Sequence, residues 1–165
     1  LGDSSVITKY DLQSKQPAGK FLTPPHAAYR MVVVDNTIFC AAMAAGLIFA
    51  VDKKTGDVTE ITDARPVPFP LDGQFGDASF FNPVSLIATG GSLYVADYPA
   101  NDIRKMELST TTASTVINSS PGNKDGVGIQ AQINGPFGMA AVGDSIFFAD
   151  VKNRAIRKLT PVFQR

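Results

Sequence analysis

The sequence predicts an all-β chain built from repeated four-stranded units, and three observations predict it. First, two stretches align without a gap at an offset of 53 residues. Asp72-Gly73, Ala78, Pro83, Leu93-Tyr94-Val95-Ala96-Asp97 and Ile103-Arg104-Lys105 recur as Asp125-Gly126, Ala131, Pro136, Ile146-Phe147-Phe148-Ala149-Asp150 and Ile156-Arg157-Lys158. A fixed period of about fifty residues is a signature of repeat architectures. Second, short runs rich in Val, Ile, Phe, Tyr and Thr recur about every 8–12 residues between turn residues. Third, no segment sustains the 3.6-residue periodicity of an amphipathic helix.

The runs fall into groups of four, lettered A to D. Residues 6–12 read as a C strand, because Ile7-Thr8-Lys9-Tyr10-Asp11-Leu12 resembles Ile103-Arg104-Lys105-Met106-Glu107-Leu108, with 20–22 as its D strand; 1–22 is thus half a unit. The unit 23–62 carries strands at 29–34, 37–42, 47–51 and 58–62. The unit 72–118 carries them at 83–88, 92–97, 102–108 and 114–117. The unit 125–165 carries 136–142, 145–150 and 155–159, and by the repeat offset its D strand falls beyond Arg165. The A–B turns Asp35-Asn36, Gly90-Gly91 and Gly143-Asp144 suit two-residue hairpins, which need positive φ.

Two aspartates that end B strands have candidate partners. Centring the B–C turns on Ala100-Asn101 and Asn153-Arg154 sets Asp97 opposite Arg104 and Asp150 opposite Arg157, as structural cross-strand ion pairs. The first unit, turned at Ala45-Gly46, has Ala42 and Phe49 at these positions, so both charges are missing together. An unpaired buried charge is costly, and joint loss is what a true pair predicts. A four-stranded meander cannot bury both faces alone. Stacking such sheets around an axis does so, and the result is a β-propeller; a β-sandwich is the competing arrangement, but its strands do not usually repeat in fours.

The repeated Asp-Gly, the Ala and Pro at fixed offsets, the Val-Ala-Asp-like strand end and the Ile-Arg-Lys resemble the NHL repeat. The resemblance is specific over 72–159, weak over 23–62 and partial over 1–22. It implies a propeller, commonly six-bladed, used mostly as a platform for proteins or RNA; some relatives are enzymes, including a zinc-dependent lyase. The expected fold is an all-β, NHL-type propeller segment of about three and a half four-stranded blades belonging to a larger ring. That ring is completed by further blades of the same chain or by other chains. The opening Leu1-Gly2-Asp3 fits processing, excision or a partial sequence.

Composition narrows the function classes. Fifteen basic residues balance fifteen acidic ones, so the chain lacks the electrostatic footprint of a general nucleic-acid binder. The densest basic group, Lys152, Arg154, Arg157 and Lys158, reads as a solvated face. No apolar run reaches the length of a membrane span. The single cysteine, Cys40, lies in Ile38-Phe39-Cys40-Ala41-Ala42 and reads as a small buried hydrophobe. Asn118-Ser119-Ser120 is an N-glycosylation sequon, which leans toward a secreted or surface protein.

Catalytic, cofactor and metal sites are not expected. His26 is the only histidine, so a multi-histidine zinc site within this segment is excluded. His26 reads as a turn residue after Pro24-Pro25. No Gly-x-Ser-x-Gly or Cys/His couple is present. Asp125-Gly126-Val127-Gly128 lacks the Gly-Lys-Ser/Thr of a phosphate loop. Asp63, Asp72 and Asp77 match no calcium-loop spacing. The Asp-Gly dipeptides read as turns, with glycine at positive φ and aspartate closing an Asx turn.

The long D–A connections, 63–82 and 119–135, and the B–C turns share one end of the sheets, and long loops on a rigid scaffold gather recognition residues. Candidate interaction residues are Arg65, Pro68, Phe69, Asp77, Asn101, Lys124, Lys152 and Arg154. The Pro-rich stretch 65–70 is either a stiff docking segment or a cover for the gap between blades, and the second reading is favoured. The function expected is a binding or scaffolding module for protein partners; the alternatives are part of a propeller hydrolase or lyase with catalytic residues outside this segment, or RNA binding.

Overall fold

The computed structural model describes residues 6–64, 70–98, 100–118 and 120–161, with backbone alone at positions 20 and 118. Their strands form four antiparallel sheets. The first pairs β1 (Ile7–Asp11) with β2 (Gln16–Leu22). The second runs β3 (Arg30–Val34), β4 (Thr37–Ala42), β5 (Leu47–Asp52) and β6 (Val58–Glu60) in sequence order. The third contains β7 (Gly73–Gln74), β8 (Pro83–Thr89), β9 (Ser92–Asp97), β10 (Asp102–Glu107) and β11 (Thr112–Asn118), in the order β7-β11-β10-β9-β8. The fourth contains β12 (Pro136–Val142), β13 (Ser145–Asp150) and β14 (Ala155–Leu159). This is an all-β propeller segment, its sheets being the blades.

The sequence reading omits β7. The chain leaving the second sheet does not stay at one end. It runs down the outer edge of the third sheet, pairs Gly73 with Ala113 and Gln74 with Thr112, then turns back toward β8. The edge of β11 is thereby covered rather than left as an open ladder.

Strand period explains the packing. Side chains alternate between faces, so Leu93 and Val95 join one cluster with Phe39, Ile48, Ala78 and Phe80, between the second and third sheets. Tyr94 and Ile103 point the other way, to Ile133 in the connection before β12 and to Ile146 and Phe148 of the fourth. A third cluster sets Leu47, Phe49 and Val51 against Ile7, Phe21 and Leu22 of the first sheet. A sheet buried on both faces needs apolar residues on both, and Leu93, Tyr94, Val95 and Ala96 supply them at the centre of β9, all six residues of which are buried. The A strand β8 adjoins both β3 and β12, and Met139 N–H donates to Ser85 Oγ at 3.1 Å.

The B–C turns are four residues long, not two. Each ends in the left-handed region, at Gly46 (φ 65°), Asn101 (φ 63°) and Arg154 (φ 55°). The register therefore differs from the expected one: Asp97 faces Asp102, Asp150 faces Ala155, and Ala42 faces Leu47. Arg104 lies opposite Val95 and Arg157 opposite Phe148.

Candidate functional site

The conserved spacing within the repeat builds a clamp. Arg104 is fully buried, yet its guanidinium donates from Nη1 to Ser79 O at 2.5 Å and from Nη2 to Leu71 O and Asp72 Oδ1, each at 2.6 Å. The Phe80 ring lies 4.7 Å from its Cζ. One repeat on, Arg157 donates from Nη2 to Asp125 Oδ1 at 2.6 Å and to Lys124 O at 3.1 Å, and from Nη1 to Gln132 O and to Asp150 Oδ2 at 3.1 Å. Leu71, Asp72 and Ser79 correspond at the repeat offset to Lys124, Asp125 and Gln132. In both units the C-strand arginine therefore straps the preceding D–A connection to its sheet through two carbonyls and one carboxylate, using the fork geometry that lysine lacks.

This corrects two expectations. The ion-pair partner of Arg104 is Asp72, not Asp97. The Asp-Gly aspartate does not close a local turn: Asp72 reaches across the sheet edge, where it also accepts from the Thr115 hydroxyl (2.8 Å) and the Thr115 N–H (3.1 Å). Partial burial opposes its charge, but the Thr115 donors and Arg104 outweigh that and hold its carboxyl below the ordinary range. Gly126 is required by close approach rather than positive φ, since a Cβ there would sit 2.9 Å from Ala131 N.

The B-strand aspartates pin the segment leading into an A strand. Asp97 accepts from Phe81 N–H (2.8 Å) and Asn82 N–H (2.5 Å). Asp150 accepts from Asn134 N–H and Asn153 Nδ2, both at 2.8 Å. Burial pushes Asp97 up despite its two amide donors. Asp102 rises further, to about 7, through burial and then the facing Asp97 charge. Cys40 is buried, and its thiol is pushed up to about 12. His26 Nε2 lies 2.8 Å from Glu60 Oε1 and ties the segment before β3 to β6.

The candidate interaction residues separate. Lys152 and Arg154 are exposed on the B–C turn of the fourth sheet. Lys152 Nζ stands 5.4 Å over the Tyr98 ring, which meets Phe137 edge-on at 6.2 Å. Gly135 makes room for this group, because a Cβ there would come within 3.0 Å of Tyr98 Cε2. Asn101 is buried, and its Oδ1 accepts from Gly135 N–H at 2.8 Å, so it staples adjacent blades. Asp77 lies at the opposite end: Phe75 N–H donates to Thr111 O in the C–D turn, and Asp77 N–H donates to Gln74 O. Lys124 is exposed on the outer connection. Arg65, Pro68 and Phe69, and the side chain of Asn118, lie outside the described residues. Beside β14 an open groove of about 580 Å³ is lined by Ile117, Ala131, Phe148, Arg157 and Leu159.

Sequence reading missed Tyr98, Phe137 and Asp102. Tyr98 and Phe137 come together only through the blade-to-blade contact, which no local pattern encodes. Asp102 could have been noticed as a carboxylate where the other units carry Leu47 and Ala155.

No family model matches the sequence, and no curated protein matches it. Solved structures do resemble it. A structural genomics protein from Bacteroides thetaiotaomicron VPI-5482 superposes with a TM-score of 0.75 at 18% identity, over 96% of this chain and 42% of its own. An auxiliary nutrient binding protein from the same organism gives 0.74 at 19%, over 94% and 42%. A streptogramin B lyase gives 0.64 at 18%, over 95% and 45%. The chain spans less than half the length of these structures. At this identity the likeness establishes the fold: this chain is built as a segment of a β-propeller.

Proposed function

We propose that this segment is a non-catalytic, NHL-type binding module that meets protein partners through the end of the propeller formed by its B–C turns. One observation carries the reading. Arg154 occupies a left-handed position that the other two B–C turns fill with Gly46 and Asn101. Neither reason for those residues applies to it. Glycine suits the conformation, and Asn101 uses its side chain as an interblade staple, whereas the Arg154 side chain is exposed. An arginine held in an unfavourable conformation on a surface turn points to a use for its side chain. Tyr98 and Phe137, with Lys152 Nζ over the Tyr98 ring, lie on the same end, and aromatic residues and arginine are the types enriched in protein interfaces. That one structural neighbour is an auxiliary nutrient binding protein is compatible with a binding role.

The test is affinity capture from an extract of the source organism with the chain as bait. Lys152→Glu and Arg154→Glu are expected to remove the captured protein. Asp144→Lys, on the A–B turn at the far end, is expected to retain it. Equal loss in all three, or retention in the first two, overturns the reading.

A further inference from the structure

Asp102 is a carboxyl that the repeat does not require. It opens β10 directly opposite Asp97, and the two are 1% and 0% exposed. The same position in the neighbouring sheets holds Leu47, facing Ala42, and Ala155, facing Asp150. Ala155 shows that an aspartate clamp forms with no carboxyl across from it.

The surrounding groups leave Asp102 without a counterion of its own. Both Asp97 oxygens are engaged by the Phe81 and Asn82 amides. The terminal nitrogens of Arg104 serve Ser79, Leu71 and Asp72. Among the described residues Asp102 Oδ1 is buried with no hydrogen-bond partner, as is Arg104 Nε. The charged groups facing Asp102 are Asp97 from β9, Arg104 from β10 itself and Asp72 from the outer connection. Ionisation of Asp102 would set two buried carboxylates face to face beside a guanidinium already engaged elsewhere, and facing like charges disfavour the second ionisation.

The place matters as much as the charge. The turn 98–101 lies between Asp97 and Asp102. On one side Asp97 holds the Phe81–Asn82 lead into β8, and Tyr98 N–H donates to Asn82 O at 3.0 Å. On the other, Asn101 is stapled to Gly135 of the next blade. We propose that Asp102 is a proton-operated latch: when protonated it lets Tyr98 and Asn101 hold both the lead into β8 and Gly135 of the next blade, and when ionised it repels Asp97 and loosens those contacts.

Because the closed state holds the proton more tightly than the open one, closure weakens as pH rises from the ordinary carboxylate range to about 7 and changes no further above it. The test is hydrogen exchange at the Phe81, Asn82, Tyr98 and Gly135 amides, corrected for intrinsic rates, between pH 5 and 8.5. In the wild type, protection is expected to fall roughly thirty- to a hundredfold from pH 5 to 7 and then level off. Asp102→Asn keeps the shape, and Asp102→Ala copies the residue at 155; both are expected to lose at least tenfold of that span. The same pH dependence in these variants, or none in the wild type, overturns the latch. A carboxyl-carbon NMR titration of Asp102 gives an independent reading that needs no variant: a midpoint near 7 supports the proposal, and one near 4 defeats it.

Discussion

Replacing Arg104 with alanine is expected to destabilise the fold by about 3–5 kcal/mol, the range for stranding a buried charge network. The contributions can be placed. Ser79 is buried, and without Arg104 its carbonyl keeps only the Leu71 N–H at 3.2 Å, a loss of about 0.5–1.5 kcal/mol. Asp97 and Asp102 lose the Arg104 charge that favours their ionised forms. The Asp72 contact adds little more, because that side chain is half exposed. Arg157→Ala is expected to cost only about 1–3 kcal/mol. Its Asp125 partner is almost fully exposed, and Asp150 keeps Asn134 N–H and Asn153 Nδ2. Arg104→Lys preserves charge but not the three-way fork, and is expected to lose at least half as much as alanine. Urea unfolding followed by circular dichroism resolves these differences. With slopes of about 1–3 kcal/mol per molar, the midpoints of the two alanine variants separate by about 1 M. An Arg157→Ala midpoint equal to or below that of Arg104→Ala would refute the assignment of the burden to the third sheet.

Four further outcomes follow from single contacts. Gly46→Ala combines positive φ with a Cβ 2.8 Å from Phe80 O and is expected to lower stability by about 1–3 kcal/mol, read as a drop of several degrees in a thermal melt; an unchanged melt counts against the close packing there. Arg154→Gly relieves about 1–2 kcal/mol of left-handed strain against about 0.4–1 kcal/mol of added unfolded-state freedom, so a rise in melting temperature is expected, and a fall would contradict the strain argument. Asp72 has a depressed carboxyl pKa, so its stabilising share is complete above the unfolded value near 4 and is lost as pH falls through the lower folded value; Thr115→Val should move that acid transition upward, and an unmoved transition removes Thr115 from the account. The Cys40 thiol, buried and raised to about 12, is expected to resist disulfide-exchange reagents at pH 8 until urea unfolds the chain; stoichiometric reaction in the native state would show that β4 opens locally.

The strands were legible because local chemistry and burial act together in this fold. Continuous apolar runs such as Leu93-Tyr94-Val95-Ala96 mark a sheet buried on both faces, and Gly90-Gly91 and Gly143-Asp144 mark the hairpins. The B–C register was less accessible. A two-residue turn and a four-residue turn ending at Asn101 fit the same string, and only the left-handed φ at Gly46, Asn101 and Arg154 distinguishes them. The partner of Arg104 was hidden for a related reason. Cross-strand reasoning looks to the adjacent strand, whereas Asp72 is 32 residues away on a connection that first had to be placed along the outer edge. The repeat had already carried the signal, since Asp-Gly and Ile-Arg-Lys recur with one offset. Two elements that always travel together are candidates for contact even when no strand pairing joins them.

That coupling also limits where recognition can sit. A D–A connection clamped at Leu71, Asp72 and Ser79, and again at Lys124, Asp125 and Gln132, is held against its sheet over much of its length. It therefore adds less adaptable surface than its length suggests, and Asp77 is carried to the far end by the β7 pairing. What stays exposed at the B–C end are side chains on a fixed backbone, Arg154 above all, with Lys152 lying over the Tyr98 ring. In the three described B–C turns the last residue takes the same left-handed conformation but serves different ends. Glycine there, as at Gly46, serves packing; asparagine, as at Asn101, serves the neighbouring blade; arginine, as at Arg154, faces outward. Exchanging these residues among the three turns separates the roles: moving arginine to position 46 must fail sterically against Phe80 O, whereas moving glycine to position 154 must leave the fold intact.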